Sequence, residues 1–488
     1  EEVVAVRSLD LHARSLPLLP AESFEPSGAR GAMRNGNPRP HSAGAIRGCE
    51  AQGPVHGHVA QARRGRTRGV RIIGGSDRPD PAMTTRTASL LTRFALMLAL
   101  ALSLGACGGG GGGGEGAPTE PETPPPQVQP ADPTGPGELK SSSMIAEIPA
   151  AEIVKVLNGA GFGSAGFMPR YAVRAHRLEY LTTDADGQPV QASGLVAVPV
   201  KAAGAKSPVL GYQHATIFRD AEAPSNNATP SELSVVLASL GFVVVAPDYV
   251  GYGASKGRPH PYLLSGPSAA AVTDFLTAAA TWRRHNAVAD NGQLFLTGYS
   301  EGGYVTMAAH RALQAAGSGL LAGLHVVVPG GGPYDVQATL DGILDMVRDE
   351  VPVLGALLDP GLLRHLGSSL RRELREELLK RLLPEDADVV LDTRFIDFFL
   401  ADDVQAIARI SSVHEWKPEV PVRMFHGRDD RTVPYNSASS TLYHMQSRGA
   451  GDLVSLTDCT AVPASHLGCV PGYLLFMLSQ FAAVARDL

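Results

Sequence analysis

The chain has 488 residues, of which 44% are hydrophobic and 18% are charged, and its formal net charge is −6 at neutral pH. The hydrophobic share supports a large buried core, and the length permits two or three domains. The mildly acidic balance gives no basis for binding nucleic acid or another polyanion. Four cysteines are too few for a scaffold built on disulfides, so each is interpreted by its own position.

Residues 1–82 are rich in Arg, Gly, Pro and His and carry no sustained apolar period. This composition predicts a disordered extension. A second interpretation is that this stretch is not native and that Met83 is the true start of the protein. The segment that follows Met83 favours the second interpretation.

A secretory signal is expected over residues 83–107. A short basic segment with Arg86 and Arg93 precedes an apolar run at 94–104, which is too short to span a membrane. The run leads into Leu-Gly-Ala-Cys at 104–107, which resembles the bacterial lipobox. That resemblance implies that Cys107 is lipidated and becomes the mature N-terminus. The alternative is an ordinary signal peptide in which this cysteine has no role.

The signal predicts export, either as a lipoprotein of the cell envelope (the outer membrane in a Gram-negative cell) or in secreted form. Residues 108–140 then begin with seven consecutive glycines and continue with Pro- and Glu-rich sequence. Glycine makes such a linker flexible and proline extends it. We expect a tether between a lipid anchor and a folded domain, or plain disorder if the anchor is absent.

Residues 141–488 are predicted to form the folded domain. Strand-like and helix-like stretches alternate along it, which is typical of an α/β layer fold. Two extended runs joined by Asp-Ala-Asp-Gly at 184–187 predict a hairpin. The predicted strands are 172–183, 190–200, 209–212, 242–246, 294–297, 324–328, 422–425 and 453–456. The predicted helices are 231–240, 268–282, 303–316, 362–383 and 471–487.

One stretch breaks this alternation. From about 334 to 417 no convincing strand is present, and 362–383 is a charged, leucine-containing helical pattern. An insertion of about 80 residues between two strands is too long for a simple loop. We predict a helical cap over the functional site; the alternative is a helical projection away from the site.

The sequence Gly-Tyr-Ser-Glu-Gly at 298–302 directly follows a predicted strand and precedes a predicted helix. A G-x-S-x-G motif in that context is typical of a nucleophile elbow, where small neighbours let a sharp turn expose the serine hydroxyl. The motif by itself is a weak signal in a glycine-rich chain. Its flanking elements and the partners found downstream make Ser300 the candidate nucleophile.

A serine hydroxyl needs a base, and the base needs an acid that orients it. The sequence His-Gly-Arg-Asp-Asp-Arg-Thr-Val-Pro at 426–434 resembles the H-G-x-x-D-x-x-V-P segment of α/β-hydrolases. The match implies that Asp430 is the acid and leaves Asp429 as a surface carboxylate. His466, in a loop between the last strand and the last helix, lies where that fold places its base, whereas His426 is expected to be structural.

Cys459 and Cys469 flank His466. In an exported protein we expect them to form a disulfide that restricts the backbone around the histidine; the alternative is two reduced buried thiols. No cluster of His, Cys and carboxylate side chains has metal-ligand spacing, and the glycines at 330–332 do not follow a phosphate-binding pattern. We therefore expect neither a metal nor a cofactor.

The oxyanion of an acyl-transfer intermediate needs two backbone N–H donors. One is expected from Glu301, the residue after the nucleophile. The segment 211–216 looks like the Y-Q-H-G-T segment of bacterial and fungal secreted lipases and esterases, with Ala215 in place of the glycine. Because of this departure, the second donor is either Ala215 or Thr216. The side chain of His214 either supports the site or is simply a packed loop histidine.

From 194 to 466 the chain resembles α/β-hydrolases of the secreted lipase type. The resemblance implies an α/β-hydrolase fold with a mostly parallel central sheet and helices on both faces. It also implies a serine hydrolase that cleaves carboxylic esters, with a small-molecule or lipid ester as its partner. Two alternatives share this core, a peptidase of the prolyl-oligopeptidase type and a polyester hydrolase. A non-catalytic binding module on the same fold is a third interpretation.

Overall fold

The computed structural model describes residues 131–160, 168–350, 355–356 and 358–488. All of them belong to one compact unit, Pro121–Leu488. The expectations for residues 1–82, for the signal over 83–107 with Cys107, and for the linker up to residue 130 lie outside the described residues.

The described part of the chain forms a nine-stranded sheet in the order β1-β2-β3-β5-β4-β6-β7-β8-β9. The first three strands and β5 pair antiparallel, and the five pairs from β5 to β9 are parallel. The strands are β1 Leu139–Ile148, β2 Val173–Thr183, β3 Pro189–Pro199, β4 Ser207–Gln213, β5 Val243–Pro247, β6 Asp290–Tyr299, β7 Leu324–Gly330, β8 Val422–His426 and β9 Val454–Asp458.

Helices connect the parallel strands and cover the sheet. The α-helices are α1 Ala150–Gly159, α2 Leu233–Ser239, α3 Ser265–His285, α4 Glu301–Ala315, α5 Val336–Glu350, α6 Pro360–Leu363, α7 Ser368–Leu382, α8 Arg394–Leu400, α9 Val404–Ala406, α10 Asn436–Ser447 and α11 Val470–Ala482. Short 3-10 helices lie at Asp220–Glu222, Gly253–Ser255, Gly319–Gly323 and Gly451–Leu453, and a π-helix follows α9 at Ile407–Ser411.

The sheet separates two apolar cores because successive side chains of a strand point to opposite faces. In β5, Val243 and Val245 join the core that contains Phe275 of α3, whereas Val244 joins the core that contains Phe481 of α11. Every residue of β5 is buried. A short, continuously apolar strand is therefore stable here, since helices cover both of its faces.

The predicted hairpin is present as β2 and β3, which pair antiparallel along their full length. The Asp184 carboxylate accepts hydrogen bonds from the amides of Asp186 at 3.0 Å and Gln188 at 2.9 Å. An Asp side chain that bonds its own backbone in this way stabilises a turn.

Residues 336–411, named the cap segment here, contain α5 to α9 and the π-helix. Within the described part of this segment, β-type backbone pairing occurs as an isolated bridge between Leu391 and His260. The predicted helix over 362–383 is divided into α6 and α7, because Gly367 adopts an extended conformation between them. Whether the cap segment covers the site stays a prediction.

The strand β1 and the helices α1 and α10 were not predicted from the sequence, and within the cap segment α5, α8 and α9 were not predicted individually. β1 is an edge strand, and most of its side chains are exposed. It begins at Leu139, two residues before the expected start of the folded domain. None of the described helices is both long and apolar enough to cross a membrane.

Candidate active site

Ser300 occupies a sharp turn between β6 and α4. Its backbone has φ 59° and ψ −125°, a left-handed conformation that is costly for a residue with a Cβ. The Ser300 amide donates to the carbonyl of Gly330 at 2.9 Å, which fixes the turn against the end of β7. Strain held by the surrounding sheet is typical of a nucleophile elbow.

The two motif glycines are required by close backbone approach. A Cβ added at Gly302 would lie 2.1 Å from the carbonyl oxygen of Gln213, and one added at Gly298 would lie 2.3 Å from the carbonyl oxygen of Gly302. Contacts this short are impossible for real side chains. The glycines therefore let the start of α4 pack directly against the end of β4.

The structure brings the three predicted side chains into one hydrogen-bonded series. His466 Nε2 lies 2.9 Å from Ser300 Oγ, and His466 Nδ1 lies 2.6 Å from Asp430 Oδ2. Asp430 and His466 are buried, and Ser300 is partly exposed. A base within hydrogen-bond reach of the hydroxyl, itself held by an acid, is the geometry that activates a serine.

Asp430 is held as an anion. Burial alone would raise the pKa of its carboxyl, but the imidazoles of His426 and His466 beside it outweigh that effect and lower the pKa to about 2. Its Oδ1 also accepts from the amides of Thr432 at 2.9 Å and Val433 at 2.8 Å. An ionised Asp430 keeps the proton of His466 on Nδ1 and leaves the Nε2 lone pair toward Ser300.

The backbone around His466 is anchored from several sides. The Tyr299 hydroxyl donates to the His466 carbonyl at 2.7 Å. The disulfide joins Cys459, directly after β9, to Cys469, directly before α11, with their Cα atoms 5.8 Å apart. The loop that carries His466 is thus closed at both ends.

Asp429 was expected to be a surface carboxylate. It is exposed, but its Oδ2 accepts from the Ala464 amide at 2.8 Å, and its own amide donates to the Ala464 carbonyl at 3.2 Å. Asp429 thus ties the loop that carries His466 to the loop that carries Asp430. It does not contact the His466 ring.

Three amides are available as oxyanion donors. Glu301 is the first residue of α4, and Ala215 and Thr216 follow β4, whose end packs against Gly302. Among the described residues no acceptor takes the N–H of Glu301, Ala215 or Thr216. The oxyanion assignment, including the choice between Ala215 and Thr216, stays a prediction.

The other histidines near the site are packed. His214 stacks on Tyr249 with ring centroids 4.0 Å apart, and its nitrogens lie 2.7 Å and 3.2 Å from the carbonyl oxygens of Ala215 and Asp248. Burial lowers the pKa of His214. His426 Nε2 donates to the carbonyl of Val433 at 2.8 Å, which agrees with the structural role expected for it.

Sequence reasoning missed His260. Its Nε2 lies 2.6 Å from Oε1 of Glu301, and both side chains are buried. His260 belongs to no recognisable motif, and 41 residues separate it from Glu301. No group of three or more His, Cys, Asp and Glu side chains in the described part of the chain could hold a metal ion.

The parallel sheet, the strained serine turn and the adjacent histidine and aspartate define the class of α/β-fold hydrolases. Residues 224–472, just over half of the chain, match the model of the alpha/beta hydrolase family. The chain belongs to this family, which confirms the fold class predicted from the sequence.

Several solved structures share this fold. The esterase LipA of Xanthomonas oryzae, which degrades the rice cell wall, is 25% identical, with 72% of this chain and 98% of that chain covered and a TM-score of 0.53. Its ligand-bound form is 24% identical, covering 72% and 100%, with a TM-score of 0.56. A protein of Legionella pneumophila subsp. pneumophila str. Philadelphia 1 is 22% identical, covering 71% and 97%, with a TM-score of 0.55. No curated protein matches the chain.

Proposed function

We propose that this hydrolase cleaves carboxylic esters through a covalent acyl-enzyme on Ser300. The observation that carries the proposal is the unbroken series of hydrogen bonds from Ser300 Oγ through His466 to the Asp430 carboxylate. The esterase named among the structural neighbours supports an ester over a peptide as the substrate class.

In the first half-reaction Ser300 Oγ attacks the acyl carbon while His466 Nε2 takes the hydroxyl proton. The carbonyl oxygen gains the negative charge, and the amides of Glu301 and either Ala215 or Thr216 bind it. The C–O bond to the alcohol then breaks, and the alcohol leaves with the proton held by His466. The acyl group remains on Ser300 as an ester.

In the second half-reaction a water molecule attacks that ester. His466 accepts a proton from the water and returns it to Ser300 Oγ as the new tetrahedral intermediate collapses. The carboxylic acid leaves and the serine is restored. Asp430 stays ionised throughout and stabilises the transient imidazolium, which is why its low pKa matters.

The proposal is tested with a serine-reactive fluorophosphonate on the purified chain, followed by peptide mapping. We expect one adduct on Ser300, none in Ser300→Ala, and an unchanged adduct in Ser439→Ala, which removes an exposed serine hydroxyl elsewhere. Absence of labelling in the folded wild-type chain would instead support a non-catalytic binding module.

The substrate class is resolved by p-nitrophenyl esters of graded acyl length, measured beside prolyl-peptide anilides and a polyester film. We expect the highest kcat/KM on one of the esters. Cleavage of only the anilide or only the film would replace the ester proposal with peptidase or polyester hydrolase activity.

We also propose that the protein is exported and anchored by a lipid on Cys107. The lipobox-like segment 104–107 and the glycine-rich stretch after it support this proposal. Expression from Met83 with a radiolabelled fatty acid should label the wild type and leave Cys107→Ser unlabelled. An unlabelled but exported wild type would indicate an ordinary signal peptide.

A further inference from the structure

The mechanism above uses only the backbone of Glu301, yet its side chain is among the most buried carboxyls near the site. The side chains of Glu301 and His260 are 1% and 2% exposed, and Oε1 lies 2.6 Å from Nε2. Glu301 directly follows the nucleophile and begins α4. A charge on its side chain would therefore lie on the same residue as the amide expected to bind the oxyanion.

Hydrogen-bond geometry determines how many protons this pair holds. His260 Nδ1 lies 2.9 Å from the carbonyl oxygen of Val250, which can only accept, so Nδ1 carries a hydrogen. The 2.6 Å contact between Nε2 and the carboxyl oxygen then requires a second hydrogen between them. The pair is either imidazolium with carboxylate or imidazole with carboxylic acid, and its net charge is zero in both forms.

No other charge in the described surroundings would neutralise Glu301. The rings around His260 belong to Tyr249, Tyr252 and Tyr262, with centroids 5.1–6.1 Å away. Burial raises the pKa of these tyrosines and of Tyr304, and it lowers the pKa of His214, so these groups stay neutral. Glu301 Oε2 is buried and has no hydrogen-bond partner. An unshared carboxylate here would be costly and would repel an oxyanion at its own amide.

The same histidine also contacts the cap segment. The His260 amide donates to the Val390 carbonyl at 2.7 Å, and the His260 carbonyl accepts from the Asp392 amide at 2.7 Å. The backbone of His260 thus pairs with the cap segment while its ring holds Glu301. His260 therefore contacts the cap segment through its backbone and Glu301 through its side chain.

We propose that His260 is a positioning residue for the hydrolase, which shares one proton with Glu301 so that the pair carries no net negative charge beside the oxyanion-binding amide. This inference rests on the proposed function, since it assumes that the Glu301 amide binds the oxyanion. It predicts an effect on kcat rather than on KM, because the charge matters most when the oxyanion forms.

The first test compares three variants across pH 6 to 9. Glu301→Gln keeps a hydrogen bond to neutral His260 without an ionisable carboxyl, and we expect its kcat to fall by about two- to fivefold. His260→Phe leaves the carboxyl without its partner, so we expect kcat to fall by about 10²-fold at pH 9, the loss typical of a damaged oxyanion site, with KM little changed. The loss of kcat should be smaller at lower pH, because a protonated carboxyl carries no charge.

At pH 9 the double variant His260→Phe, Glu301→Gln should have a kcat at least about tenfold higher than that of His260→Phe, because the carboxylate charge has been removed. His310→Phe is the matched control. His310 is also buried, lies on the same helix as Glu301, and has both ring nitrogens without partners. Its replacement should leave the ratio of kcat to wild type flat across pH.

A second measurement does not require activity. In full-length Ser300→Ala, His466→Ala protein with ¹⁵N-labelled imidazoles, the shared proton should give a low-field ¹H signal coupled to a histidine nitrogen. The signal should disappear when Glu301→Gln is added, and it should survive His310→Phe. Because this measurement does not use His260→Phe, it tests the proposal when that variant does not fold.

The inference is overturned if the signal is absent, or if His260→Phe shows a pH-independent loss that Glu301→Gln does not relieve. Failure of the proposed function has a different signature. In that case the wild-type chain does not hydrolyse esters, while the low-field signal is unaffected.

Discussion

Two regions of the domain differ in their polar interactions. One is the cap segment, and the other is the sheet edge with Ser300, Asp430 and His466, called the catalytic edge here after the proposed function. At the edge, Asp430 and His466 are buried and make short hydrogen bonds to each other and to backbone groups. The cap segment carries ion pairs whose side chains are partly exposed, such as Arg364 with Asp402 and Arg348 with Asp359. Exposed pairs contribute about 1 kcal/mol or less, whereas loss of a partner in a buried network costs several times more.

The cap segment contacts the rest of the domain through buried apolar side chains, such as Phe395 and Ile407, and through polar groups. Asp388 accepts from the Asp220 amide at 2.7 Å and from Lys256 at 2.8 Å, and Arg394 lies 3.0 Å from Asp186. Exposed polar contacts of this kind break at low free-energy cost. We therefore expect mutations of these contacts to affect substrate selection, and mutations at the catalytic edge to affect chemistry.

The largest effect is expected at the catalytic edge. Ser300→Ala and His466→Ala should each lower kcat for ester hydrolysis by about 10⁶-fold, and the double variant should be little worse, because the residues act as a unit. For Ser300→Ala, far-UV circular dichroism and melting temperature should match wild type, since Ser300 is partly exposed. Comparable kcat in Ser300→Ala and wild type would remove Ser300 from the mechanism.

The next effect separates two neighbouring carboxylates. Asp430→Asn should lower kcat by about 10⁴-fold, because His466 is then held in the wrong tautomer and its charge is not stabilised. Asp429→Asn should cost far less, since its carboxylate bonds only the backbone of the neighbouring loop. Steady-state kinetics on both variants checks this order, and a reversed order would assign the acid to Asp429.

A smaller effect is expected from the disulfide. The chain-entropy estimate for a loop of this length is about 2–3 kcal/mol, and it acts on the loop that holds His466. Reduction should therefore lower activity at temperatures where the fold persists, as followed by parallel activity and circular dichroism melts. If Cys459→Ser, Cys469→Ser protein keeps full activity up to the unfolding temperature of the wild type, the bridge does not position the base.

The smallest effect belongs to the cap segment. Arg394→Ala removes ion pairs to Asp186 and Asp392, and we expect a fall in melting temperature of about 2 °C or less. KM should rise by about two- to threefold and kcat should stay unchanged, because the catalytic edge is not touched.

Arg448→Ala is the control for that variant, since it removes an exposed ion pair to Glu415 outside the cap segment. It should leave both kinetic constants unchanged. A fall in kcat rather than a rise in KM in Arg394→Ala would show that the two regions are not separable.

Local sequence was sufficient for the parts of the molecule that depend on local chemistry. A continuous apolar run predicted β5, the Asp-Ala-Asp-Gly turn predicted the hairpin of β2 and β3, and the glycines at 298 and 302 predicted the turn at Ser300. For Asp430 and His466 the resemblance to α/β-hydrolases was needed, and it assigned each of them to a loop that follows a strand, as Ser300 does. The carboxyl ends of parallel strands meet at one edge of a sheet.

Other features were decided only by tertiary structure. The exposed strand β1 is stabilised by pairing with β2 rather than by its own apolar pattern, and Asp429 bonds the backbone of a loop 35 residues away. His260 and Glu301 form a pair only because folding brings two unrelated segments together around a buried proton. Propensity and periodicity describe interactions within one segment. A hydrogen bond between distant segments depends on how the whole sheet is assembled.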